Sequence, residues 1–280
     1  MNSSLHLFHI PVMGTGFTID SPIRVAHLGI HSAISVVDDL LLERIRRHYS
    51  GQYGFPFSSI PRNAPDGRAR RISAYLDLVL EIVTQRFNQL KELSFGEKSA
   101  KSRYFRLLPD ISPLKQEFLR FQKMPEGPGR QKLAKRLTDR MKPGEIEVNI
   151  MAKVDALRAT GGKIPAESQM SDASSALRGF ANSSLDSSLV LSAGFNPSLY
   201  GYLTRFREFY RNAEGRIRKK IILKVSDFRS ALIQGRYLAK KGLEIAEYRI
   251  ESGMNCGGHA FATEGLLLPV VLKDFHEKRE

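Results

Sequence analysis

The sequence has a single cysteine among its 280 residues, so it cannot form an internal disulfide bond. It has no Cys-x-x-Cys motif and no cysteine and histidine cluster at zinc-ligand spacing, which excludes the common structural zinc sites. No run of about 18 apolar residues occurs, and no basic segment followed by an apolar run opens the chain. These absences predict a reducing compartment, most simply the cytoplasm, and no membrane span.

Length and composition are those of an ordinary globular protein. A chain of 280 residues can bury a large core and permits either two domains or one α/β barrel with additions. Hydrophobic residues make up 42% of the chain and charged residues 26%, which argues against extensive disorder.

The net charge of +14 is concentrated in one segment. Residues 44–143 hold 22 Lys and Arg against 9 Asp and Glu, whereas the rest of the chain holds 21 against 20. Clustered cations bind phosphate backbones, but this segment has no basic motif interleaved with aromatic residues, which disfavours nucleic acid. A solvated face is the simplest interpretation, and an acidic protein partner is the alternative.

Six short apolar segments are predicted to be β-strands, each ending in polar or glycine residues. The first leads into Gly14-Thr15-Gly16, a loop that can lie against a flat or phosphorylated ligand. Helices are predicted at 21–29 with Ser21 as the N-cap residue, after the cap residues Asp38 and Asp39, at 227–241, and after the last strand at 266–278. This alternation of strands and helices is typical of a parallel α/β protein. The predicted strands are residues 7–13, 30–37, 146–151, 188–194, 220–226 and 245–251.

The basic segment interrupts this alternation. Turn-forming residues at 51–67 precede predicted helices at 72–93, 112–122 and 130–141. We therefore interpret residues 1–43 as the first two βα units, residues 44–143 as a mostly helical insertion and residues 144–280 as units three to six.

This pattern favours a TIM-type (β/α) barrel. In such a barrel the active site is built at the carboxyl ends of the strands, so one mouth would collect Gly14, Asn149, Gly194, Lys224 and His259. An open doubly wound sheet is less favoured because the first loop lacks the GxGxxG motif that carries a dinucleotide.

The residues from Gly253 to His259 combine three glycines, the cysteine and a histidine at the exit of a predicted strand. Glycines let a backbone approach a ligand closely, and an imidazole can exchange protons near pH 7. We interpret Cys256 as a small space-filling residue. The histidines of the first βα unit are expected to be packing or surface residues, with no metal spacing among them: His9, His27 and His31.

Four segments at or near the predicted strands carry a recognisable pattern. They are Ile-Pro-Val-Met-Gly at 10–14, Glu-Val-Asn-Ile at 147–150, Ile-Leu-Lys-Val-Ser-Asp-Phe-Arg-Ser-Ala at 222–231 and Gly-Met-Asn-Cys-Gly-Gly-His at 253–259. Together they resemble the nitronate monooxygenase family, formerly called 2-nitropropane dioxygenases. The resemblance covers about residues 7–43 and 145–275 and excludes the basic insertion.

The resemblance implies an FMN-dependent oxidoreductase that oxidises nitronates or similar stabilised carbanions with oxygen. His259 matches the family's catalytic histidine, which acts as a base on the carbon acid or positions the nitronate. A cation near the pyrimidine edge of a flavin stabilises the charge of reduction, and Lys224 can supply it. The implied flavin-binding positions are Gly14, Thr15, Asn149, Lys224, Gly257 and Gly258.

Two departures from the family pattern lead to further expectations. Asn255 stands where the family usually has Glu, and Gly14-Thr15-Gly16 stands where it has Ala-Pro-Met, so the substrate pocket is expected to differ. The family's barrel has eight strands, and its last two units form the phosphate site. With six predicted strands, we expect either a truncated chain or completion by another element.

Two other functions stay open at this point. The same barrel resembles that of flavin-dependent enoyl-thioester reductases, in which case the insertion would face an acidic acyl carrier protein. The other alternative is a non-catalytic barrel remnant that binds nucleic acid or an acidic partner through residues 44–143.

Overall fold

The computed structural model describes residues 5–14, 18–151, 155, 171–191, 194–251 and 268–278. Within them the chain is an α/β protein with one all-parallel, six-stranded sheet that curls into a half-barrel. The strands stand in chain order, each hydrogen-bonded to the next. They are β1 (His9–Ile10), β2 (His31–Ser35), β3 (Ile146–Ile150), β4 (Ser187–Leu191), β5 (Lys219–Val225) and β6 (Ile245–Ile250).

The predicted α/β class with six parallel strands is thereby confirmed. The strands differ from their predicted bounds by one to three residues at an end, except that β1 is reduced to two residues. Short parallel strands joined by helical crossovers are the expected product of this alternating sequence.

Ten helices surround the sheet in the described part of the chain, along with two 3₁₀ turns at Ala26–Leu28 and Arg207–Phe209. None of these helices is long and apolar enough to cross a membrane. The α-helices are α1 (Ser21–Val25), α2 (Asp39–Tyr53), α3 (Gly67–Glu92), α4 (Ala100–Arg106), α5 (Pro113–Lys123), α6 (Pro128–Asp139), α7 (Asp172–Asn182), α8 (Pro197–Leu203), α9 (Phe228–Ala239) and α10 (Leu268–Lys278).

Helix caps explain several of these bounds. The Asp38 carboxylate accepts hydrogen bonds from two backbone amides of the first turn of α2, and Asp227 accepts one from Ser230 at the start of α9. Asp20, rather than the expected Ser21, is the N-cap residue of α1, and its carboxylate binds the side chains of Arg24 and Tyr49 instead of the helix backbone.

The buried apolar side chains form two clusters. The main cluster lies between the sheet and its helices, and the first two-thirds of α3 contributes to it through residues such as Ile72 and Val79. The second cluster joins the end of α3 to α4, α5 and α6, with Phe105 and Phe118 stacked at a ring distance of 5.1 Å. Helix α2 crosses the expected boundary between residues 43 and 44; the division into three segments stays a prediction.

Each strand separates two different environments because side chains alternate across a sheet. The outer face carries residues such as Val148, Leu189 and Leu223, which are fully buried in the main cluster. The inner face carries polar residues, among them Glu147, Asn149 and Lys220. Any site formed by the strands therefore lies on the inner face of the curl.

Candidate functional site

Asn149 lies at the carboxyl end of β3, on the inner face and next to Ser35 of β2. Its side chain is only 2% exposed, and its Nδ2 donates to Ser35 Oγ at 3.5 Å. The amide oxygen of Asn149 has no hydrogen-bond donor among the described residues. A buried polar atom left without a partner costs roughly 1–3 kcal/mol, so this oxygen is a natural contact for a ligand donor.

Gly14 is fixed to the same edge by Thr18. The Gly14 amide donates to Thr18 Oγ1 at 3.1 Å, and the Gly14 carbonyl accepts from the Thr18 amide at 2.9 Å. The Thr18 carbonyl in turn accepts from the Ser35 amide at 2.7 Å. Both backbone polar groups of Gly14 therefore take part in the loop's own hydrogen bonds, and its missing side chain lets a ligand approach closely.

Lys224 lies near the carboxyl end of β5, on the same face as Asn149 and separated from it by β4. Its Nζ is 2.7 Å from a carboxylate oxygen of Glu251, the residue that follows β6, and both side chains are about one-fifth exposed. The Glu251 amide donates to the Val225 carbonyl at 2.8 Å, which fixes the carboxylate beside the lysine. The predicted cation is therefore held in place by an acidic neighbour that had no predicted role.

The structure thus brings Gly14, Asn149 and Lys224 to one end of the sheet. Four of the predicted site residues lie outside the described part of the chain, so their assigned roles stay predictions. These are Thr15, Gly257, Gly258 and His259. In the described part of the chain, no group of three His, Cys, Asp or Glu residues has the geometry of a metal site.

A buried ionic network lies deeper on the inner face and was missed by the sequence analysis. Arg249 of β6 binds both carboxylate oxygens of Glu147 on β3, at 2.9 and 3.1 Å. His9 of β1 approaches the same carboxylate with Nε2 at 2.9 Å. These three side chains connect the first, third and last strands across the interior of the curl.

The network changes the acidity of its members. Burial alone raises the pKa of Glu147, but hydrogen bonds from His9 and Arg249 outweigh it and lower the pKa to about 2. Burial likewise lowers the pKa of Arg249, and hydrogen bonds to Glu147 and Glu247 raise it above its usual value. Glu147 therefore stays ionised at neutral pH although its residue is only 4% exposed.

One sequence signal pointed to this network. Glu147 and Asn149 stand two residues apart in an otherwise apolar strand, so both face the same side of the sheet. Sequence reasoning treated His9 as a packing or surface residue, whereas the structure pairs it with a buried carboxylate. The pairing joins residues 138 positions apart, which periodicity within one strand does not reveal.

The chain matches no family model, no curated protein and no solved structure at a significant level. The geometry of the described residues and the sequence patterns are therefore the grounds for assigning a function.

Proposed function

We propose that the protein is an FMN-dependent oxidoreductase with a TIM-type barrel architecture, resembling nitronate monooxygenases. It would oxidise nitronates or similar stabilised carbanions with oxygen as the acceptor. The observation that carries the proposal is the buried amide oxygen of Asn149, which lacks a described donor at the carboxyl edge of a parallel sheet. In α/β proteins this edge is where ligands bind.

The chemistry of this edge fits a flavin ring. The ring presents a polar edge with an N–H donor and carbonyl acceptors, and an asparagine amide offers the complementary pair of groups. When bound, the flavin would accept an electron pair from the carbanion and pass it to oxygen. Asn149 would contribute binding and orientation, since its hydrogen bond to Ser35 limits the rotation of its side chain.

Lys224 would provide the positive charge near the reacting system. One of its three N–H donors faces Glu251, which leaves two for a ligand. An oriented ammonium group stabilises negative charge that develops during a reaction, because it needs little reorganisation. Glu251 would keep Lys224 in position and would also reduce the net charge that a ligand meets.

The loop around Gly14 would form the floor on which the ring lies. Thr18 holds this loop to β2 through its backbone and hydroxyl group. His259 would accept the proton of a neutral carbon acid, a role that an imidazole can perform near neutral pH. The remaining cofactor contacts would come from Thr15, Gly257 and Gly258.

Flavin binding tests the proposal directly. FMN is titrated into the purified protein, and binding is followed by quenching of flavin fluorescence. We expect saturable binding at one FMN per chain and about a tenfold weaker affinity in Asn149→Leu, since two hydrogen-bonding groups are lost. The matched control is Asn88→Leu, which removes an exposed amide from α3 and should leave the affinity unchanged.

Two results would contradict the proposal at different levels. If the protein binds no FMN, both the proposed cofactor and the proposed reaction are refuted. Binding that is insensitive to Asn149→Leu would place the flavin elsewhere. Oxygen consumption with ethyl nitronate as substrate then tests the reaction itself.

A further inference from the structure

A cavity of about 850 Å³ opens at the opposite end of the sheet from Asn149. Residues at the starts of all six strands line it, including His31, Lys220 and Ile245, together with the segment that leads into β1. Neither Asn149 nor Lys224 belongs to its lining, so the cavity is separate from the proposed flavin edge. Its volume lies within the range of small-molecule sites.

Two neighbouring polar side chains lie on the wall of the cavity. Lys220 pairs with Glu145 at 3.2 Å through one of its three N–H donors, which leaves two for a ligand. Ser188 lies beside it in register on β4, is 2% exposed as a residue and also lines the cavity. An ammonium and a hydroxyl side by side are complementary to a carboxylate group.

A third polar group lies deeper in the same wall. The Nε2 atom of His9 faces the Glu147 carboxylate, and the guanidinium of Arg249 also binds that carboxylate. Nε2 is therefore occupied by the network, and Nδ1 is the ring nitrogen to which a ligand hydroxyl can hydrogen-bond, because a hydroxyl can act as donor or acceptor. Nδ1 of His9 has no partner among the described residues, and the ring lines the cavity.

The partners of these groups indicate how far apart they lie. Lys220 pairs with Glu145 and His9 with Glu147, and Glu145, which immediately precedes β3, is two positions from Glu147. Two residues along a strand span about 7 Å. Two exposed apolar side chains also line the cavity: Leu7 is 74% and Phe8 is 55% exposed.

We propose that this cavity is a second ligand site, which takes a small hydroxylated organic acid with a hydrocarbon body. Its carboxylate lies against Lys220 and Ser188, its hydroxyl hydrogen-bonds to His9 Nδ1, and its hydrocarbon body covers Leu7 and Phe8. The site does not depend on the flavin proposal, and its failure would leave that proposal unchanged.

Three probes separate the contributions of the two polar ends. 4-Hydroxybenzoate carries a carboxylate and a hydroxyl on opposite ends of an apolar ring, benzoate lacks the hydroxyl, and phenol lacks the carboxylate. Isothermal titration calorimetry of the full chain should give one site for 4-hydroxybenzoate. Its affinity should exceed that of benzoate about fivefold, for one neutral hydrogen bond, and that of phenol about tenfold, for a charged one.

Two variants assign these preferences to residues. Lys220→Gln should remove the preference for 4-hydroxybenzoate over phenol and keep the preference over benzoate. His9→Phe should do the reverse, because it removes the ring nitrogen that binds the hydroxyl and leaves the carboxylate contact intact. Lys132→Gln makes the same charge change on the exposed face of α6 and should alter neither preference. Cooperative thermal unfolding verifies that each variant is folded.

Several outcomes would overturn the proposal. These are the absence of saturable binding of 4-hydroxybenzoate, equal affinities for the three probes, or preferences that neither variant changes. If Lys220→Gln does not fold, Ser188→Ala takes its place. In this variant the affinities for 4-hydroxybenzoate and benzoate should fall relative to the affinity for phenol. Unchanged affinity ratios would equally refute the site.

Discussion

The two faces of the sheet stabilise the fold by different means. The outer face buries apolar side chains such as Val148 and Leu189 against helices, which needs only shape and volume to match. The inner face buries Glu147 and satisfies it with Arg249 from the far edge. A hydrophobic face tolerates any well-packed neighbour, whereas a buried charge depends on one particular partner.

Two consecutive lysines on β5 show the same contrast. Lys219 points outward and is fully buried, with its Nζ bound to the Ser183 carbonyl at 2.9 Å and lying over the Phe180 ring at 4.4 Å. Lys220 points inward, is half-buried and pairs with Glu145. The outward lysine binds carbonyl groups that follow helix α7, while the inward one meets a carboxylate at the cavity.

Loss of Arg249 should give the largest effect. In Arg249→Met, Glu147 keeps only His9 as a partner and stays buried, so the free energy of unfolding should fall by about 3–5 kcal/mol. Urea denaturation measures this change. Arg211→Met breaks another two-bond pair, with Glu244, but at the exposed surface. It should change the stability little, and equal losses in the two variants would contradict the contrast between interior and surface.

As the pH falls, the inner face should lose its contribution to the free energy of unfolding before the outer face does. The pKa of Glu147 is about 2 in the folded protein against a usual value of 4.5. Its ionised form therefore contributes stability above pH 4.5, and this contribution is lost as the pH falls towards 2. Between pH 5 and pH 3 the wild-type protein should lose about 2 kcal/mol more than Glu147→Gln. Parallel pH profiles of the two proteins would refute this prediction.

Alkali should act on the outer face through Lys219. Burial lowers the pKa of Lys219 from 10.5 to about 8. The folded state therefore carries the cost of a buried charge below pH 8, and this cost is relieved as the pH rises towards 10.5. From pH 8 to pH 9.5 the wild-type protein should gain about 1.5 kcal/mol relative to Lys219→Met. A stability difference that does not vary with pH would show that the ammonium pays no desolvation penalty.

Asn149 should give the smallest effect on stability. In Asn149→Leu the loss of one long hydrogen bond is offset by removal of the unpartnered oxygen, so the free energy of unfolding should change by less than about 1 kcal/mol. Chemical denaturation measures it beside the FMN titration. A loss above about 2 kcal/mol would instead make Asn149 a structural residue of the inner face.

The strands and most helices were predictable because their signals are local. Alternating apolar segments with polar exits located β2 to β6 within three residues, and the periodic apolar residues of α3 located that helix. Helices α4, α7 and α8 were not predicted. For α8 a signal was present, since Asn196 caps the helix and Pro197 occupies its first turn.

The site was predictable only in part. Asn149 and Lys224 share an edge because parallel strands align their carboxyl ends, a rule that sequence alone can apply. The pairing of Lys224 with Glu251 requires the register of β5 against β6, which contains an irregularity between Ile221 and Ile222. The contact of Arg249 on β6 with Glu147 on β3 requires the curl of the sheet, because these strands are not neighbours.

The chain order of the strands also sets the timing of assembly on the ribosome. Each strand adds to the one made just before it, so the outer face can pack as the chain emerges. Glu147 and Arg249 are 102 residues apart. At a translation rate of roughly 5–20 residues per second, Arg249 of β6 is synthesised about 5–20 seconds after Glu147 of β3. During that interval His9 is the member of the network already made that can bind Glu147, so the inner face gains its two-bond ion pair only when β6 is synthesised.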